Sequence, residues 1–138
     1  MSLPDREKAA ELGRGLRRVR DSIQKQDPTG RTNRIWFQGA EPYLDAIFEV
    51  SGETLLWFQV TLRGRSLTWD AQRGCVVTGH TGELAVEEAR APASKTIEAD
   101  ESGDRAVAQT IHWMLSARAG EHPFDGATAV VATWLGER

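Results

Sequence analysis

From Ile35 to Gly79, apolar and polar residues alternate with a period of two, and glycines interrupt the pattern at Gly39, Gly52, Gly64 and Gly74. Only an extended strand sends successive side chains to opposite faces, so this stretch must become a series of half-buried strands. Breaks of two to four residues are too short for crossovers, which makes the strands consecutive antiparallel hairpins. Three of the five tryptophans lie inside it.

Turn chemistry proposes a register. In the stretch from Thr54 to Leu62, the side chains of Leu56, Phe58, Val60 and Leu62 share one face. A two-residue turn at Gly64-Arg65, with glycine first as a II′ turn prefers, sets Leu67 against Leu62 and Trp69 against Val60. A three-residue loop would bring Ser66, Thr68 and Asp70 onto that apolar face instead. A Ser51-Gly52-Glu53 loop then pairs Val50 with Thr54, Phe48 with Leu56 and Leu44 with Val60. The loop Ala71-Gln72-Arg73-Gly74 sets Val76 against Trp69. The expected core face is Leu44, Phe48, Leu56, Phe58, Val60, Leu62, Leu67, Trp69 and Val76.

Helical periodicity frames this sheet. Ala9, Leu12, Leu16, Val19 and Ile23 are spaced 3, 4, 3, 4, which predicts a helix over residues 5–26 with a narrow apolar stripe. Gly13 and Gly15 each cost about 1 kcal/mol relative to alanine, so this helix must dock on something. Asp27-Pro28-Thr29-Gly30 stops it, and Arg31 to Arg34 reads as a linker. Two further helices are expected, from about Asp104 to Ala119 (Val107, Ile111, Met114 and Leu115 on one face) and from about Gly126 to Leu135 (Ala127, Val130, Val131, Trp134 and Leu135). Leu84 to Glu88 reads as a short edge strand; the stretch from Lys95 to Ala99 fits either state. The expectation is an α+β fold: an antiparallel β-meander of four to five strands with an N-terminal helix and two C-terminal helices packed on the sheet. The C-terminal pair covers the core face, and the N-terminal helix takes the opposite face or a dimer interface. Residues 1–33 then form an amphipathic helix with a linker, and 34–138 a single α+β domain.

At 138 residues, 40% of them hydrophobic, the chain can bury a core without disulfides or structural metal. Cys75 is its only cysteine, which fits a reducing compartment, and the expected location is cytoplasmic. Neither a secretory signal nor an 18-residue apolar run is legible, so no membrane role is expected. Residues 1–34 hold nine Lys/Arg against five Asp/Glu, and residues 75–138 hold five against ten. A net charge of −3 argues against nucleic acid, whereas this asymmetry suits a protein partner or pairing with a second copy as a homodimer.

Candidate sites follow from parity and spacing. Ile35-Trp36-Phe37-Gln38 and Leu56-Trp57-Phe58-Gln59 are near-copies in which Trp36 and Gln38, and Trp57 and Gln59, point away from the core. On neighbouring strands they would form a platform with Thr61, flat and apolar with amide hydrogen bonds at its rim. The competing arrangement lays the first helix across them through Leu12, Leu16 and Val19, with Arg17 alongside. These eight residues are the candidate partner-binding set. Arg63, Arg65 and Arg73 near hairpin ends are candidate anion-binding residues, since guanidinium forks suit phosphate and carboxylate. A hairpin end is, however, commonly just a solvated charge cluster. Thr78-Gly79-His80-Thr81-Gly82-Glu83 reads as a loop presenting His80, with Cys75 five residues upstream, but ligands for a metal site and a third group for catalysis are missing from the pattern. Glu41, Asp45 and Glu49 recur every four residues, which on a strand is an outward, solvated row.

The chain is similar in size and acidity to the small acidic secretion chaperones. Those proteins interpose a helix among their strands, whereas the strands here run consecutively. The leading expectation is a small non-enzymatic adaptor or regulatory module that binds another protein, with no cofactor, no metal and no catalytic residues. The alternatives are a small-molecule-binding domain using Trp57, Gln59 and Arg63, an acidic chaperone-like protein, and an enzyme with a site near His80.

Overall fold

The computed structural model describes residues 3–19, 32–81 and 103–136, together with the main chain of residues 97–99. Its strands are β1 (Arg17–Arg18), β2 (Asn33–Gln38), β3 (Asp45–Ser51), β4 (Thr54–Leu62), β5 (Arg65–Asp70), β6 (Cys75–Thr81) and β7 (Ile97–Ala99), and its helices α1 (Arg6–Arg14), α2 (Arg105–Ser116) and α3 (Phe124–Leu135). The strands lie side by side in chain order, all antiparallel. The α+β meander stands as expected, and β2 to β6 are its five long strands. The two- and three-residue pieces β1 and β7 are the additions at its edges. The expected strand at Leu84 to Glu88 lies outside the described residues.

Both central hairpins keep the expected faces but shift register by two. Arg63 and Gly64 form the β4–β5 turn, with φ +49° and +77°, so Leu62 pairs with Arg65, Val60 with Leu67 and Phe58 with Trp69. Positive φ at both central residues is the I′ pattern, whose twist matches that of the flanking strands. At the β3–β4 turn Ser51 pairs with Thr54 around Gly52-Glu53, and Phe48 faces Phe58 rather than Leu56. An irregularity at Glu49/Val50 then sets Val50 against Leu55, so the extra residue, Leu56, drops out of the ladder. Leu55 therefore takes the place expected of Leu56 against the core. The Ala71–Gly74 loop sets Trp69 against Val76, as its length demands.

The first helix is shorter than its stripe. Asp5 caps it by accepting from the Lys8 N–H at 2.8 Å, and it gives way at Gly15. Arg17 and Arg18 then pair with Gln38 and Phe37, and the Val19 N–H donates to the Trp36 carbonyl at 2.7 Å. With Gly13 and Gly15 weakening the helix, edge pairing offers the main chain better partners than another helical turn. The remainder of the expected helix, residues 20–26, and the stop at Asp27–Gly30 lie outside the described residues.

The three described helices pack on one face of the sheet, which corrects the placement of the first helix on the other face. Ala9, Leu12 and Leu16 join Phe37, Phe48, Phe58 and Leu67 of the sheet and Ile111, Met114, Phe124 and Val131 of α2 and α3 in a single core. Phe124 meets Phe37 and Phe48 edge-on at centroid distances of 4.9 and 5.1 Å. Close approach of α1 to α2 depends on Gly13, where a Cβ would collide with the Met114 carbonyl. Asp104 caps α2 by accepting from Val107 N–H, while its own N–H donates to Thr78 Oγ1 at 2.7 Å, fixing the helix start on β6. Among the described residues, no helix is long and apolar enough to cross a membrane.

Candidate partner-binding face

Register places the outward side chains in three rows across the sheet. One runs Arg34, Glu49, Trp57, Asp70, Cys75; the next Trp36, Ile47, Gln59, Thr68, Val77; the third Arg17, Gln38, Asp45, Thr61, Ser66, Gly79. No described helix lies over these rows, because α1, α2 and α3 share the opposite layer.

The first two rows are open. Trp36, Ile47, Trp57, Gln59 and Thr68 are half-buried, and Val77 is 38% exposed. Together they make a mixed strip in which Gln59 and Thr68 stand between the apolar pair Trp36–Ile47 and Val77. The third row is covered only from β4 to β6, with Thr61 2% and Ser66 0% exposed and Gly79 buried, while Arg17 and Gln38 at its other end are exposed. Ser66 Oγ in this row and Trp36 Nε1 in the next are buried without a hydrogen-bond partner.

The two tryptophans are not on neighbouring strands. β3 separates them, and Ile47 beside Trp36 in its row supplies the apolar link that the sequence reading missed. Arg34 organises the first row. It crosses β3, donates to Glu49 Oε2 at 3.2 Å and lies 5.5 Å from the Trp57 ring centroid. That contact places a cation on the strip. Parity also gave the signal for Ile47 and Val77, the apolar residues at outward positions among Asp45, Glu49, Cys75 and Gly79.

Of the other candidate partner-binding residues, Gln38 is exposed at the rim and Gln59 sits mid-strip. Arg17 is exposed beside Gln38 on β1, and Val19 is half-buried next to Trp36. Leu12 and Leu16 are 4% and 3% exposed inside the chain's own core, away from this face. The arginines are split between the two ends of the sheet: Arg63 and Arg65 at the β4–β5 turn, Arg73 in the β5–β6 loop at the far end. Arg63 grips Glu41 with both arms of its fork, at 2.9 and 3.2 Å, a hydrogen bond that raises the Arg63 pKa still further. Arg65 Nη1 stands 3.8 Å from Asp104 Oδ2, so these two forks serve internal carboxylates. Asp45 and Glu49 lie outward on β3 as expected, whereas Glu41 belongs to the loop before it.

That loop has its own character. The Leu44 N–H donates to the Glu41 carbonyl at 3.3 Å around Pro42-Tyr43, and Tyr43 sits at φ +62° with 60% of its surface exposed. Proline first and positive φ second is the type II turn, whose second place normally belongs to glycine. Residues Gln38 to Asp45 line an open cleft of about 400 Å³ beneath it.

His80 sits not in a loop but on β6, opposite Arg65. Cys75 lies at the other end of the same strand, five residues and about 17 Å away, and points to the opposite face. The two cannot meet in one site. Among the described residues, no three His, Cys, Asp or Glu side chains converge as metal ligands would.

Comparisons with protein-family models, curated proteins and solved structures return no match.

Proposed function

We propose that this chain is a small, cytoplasmic, non-enzymatic protein-binding module that engages its partner through the outward face of the sheet. The observation that carries the reading is the one-sided helix layer. A seven-stranded sheet with its three described helices on one face leaves Trp36, Ile47 and Trp57 as an apolar patch on the other, with Val77 beyond Gln59 and Thr68 in the same row. Strips of this kind, rimmed by polar groups and holding tryptophan and arginine, are the usual composition of a protein interface. Trp57 and Gln59 face away from the described helices, which weighs against the small-molecule reading that sets them in a pocket between those helices and the sheet.

The test is to place a charge on the strip without touching the core. Ile47→Lys and Trp57→Arg, in the full chain, should retain the native circular dichroism spectrum and lose partners that the wild-type protein co-isolates from its host extract. Unchanged capture by both variants would overturn the reading.

A further inference from the structure

We draw no further inference here: the strongest candidate, the open cleft of residues Gln38 to Asp45 beneath the exposed Tyr43 turn, rests on loop geometry alone, and nothing in the structure points to a ligand there.

Discussion

Arg118 Nη1 donates to the main-chain carbonyl of Leu16 at 2.7 Å and to that of Gly13 at 3.1 Å, so a residue just after α2 caps the end of α1. The rest of the guanidinium is equally occupied. Nε and Nη2 hold the two oxygens of Glu121 at 2.6 and 2.8 Å, and the group stacks 4.7 Å from the Phe124 centroid and 5.5 Å from that of Phe37. Arg118→Ala should therefore cost about 2–3 kcal/mol in urea denaturation, since it uncaps two carbonyls and removes a stacked cation together. Arg118→Lys should recover under half of that loss, because one ammonium cannot satisfy a carboxylate fork and two carbonyls at once.

The same pair sets a pH dependence. Its hydrogen bonds to Arg118 hold the Glu121 carboxyl below its ordinary value of 4.5. A carboxyl with a depressed folded pKa stabilises above its unfolded pKa and loses that contribution as pH falls through the folded one. Stability should thus decline as pH drops below about 4.5, and Glu121→Gln should flatten that part of the profile. The comparison is the urea midpoint of wild type and variant from neutral pH downward.

Gly13→Ala inverts the usual rule. Helix propensity alone predicts a gain of about 1 kcal/mol. The Met114 carbonyl occupies the place a methyl group would take, so α1 must move away from α2. A net loss of about 1–3 kcal/mol is expected, read as a lower thermal midpoint.

Tyr43→Gly should do the opposite. Tyr43 occupies the glycine place of a type II turn at φ +62°, and its exposed ring forms none of the core. Relief of that strain, less the entropy glycine adds to the unfolded chain, should raise stability by about 0.5–1 kcal/mol.

Ser66→Ala removes a fully buried hydroxyl that has no hydrogen-bond partner. Stability should rise by about 1 kcal/mol, an outcome that distinguishes an unsatisfied group from a serine bonded in place.

The faces of the sheet were legible in the sequence because parity survives error. Moving the β4–β5 turn from Gly64-Arg65 to Arg63-Gly64 slides the pairing by two and leaves Phe58, Val60, Leu67 and Trp69 on the same side. For the same reason the sequence could not choose between those registers: both bring apolar residues together. Leu56 was misplaced by the irregularity opposite Glu49 and Val50, a local event that alternation does not encode. The side taken by α1 was illegible because a stripe of Leu12 and Leu16 fits either face. The deciding groups, Met114 and Arg118, lie about a hundred residues away. Trp36, Trp57 and Gln59 were found from their parity, but the strand between them, and so Ile47, needed the topology.

The Arg118 clasp also has a bearing on the order in which the chain can fold. α1 leaves the ribosome long before the residues that hold it, 105 positions separating Gly13 from Arg118. At ordinary elongation rates that gap is about 5–20 s, during which a nine-residue helix containing a glycine cannot persist alone. Core closure around α1 waits until α2 and the turn after it have been synthesised. For that interval the apolar residues of both sheet faces are exposed to whatever chaperones attend the nascent chain.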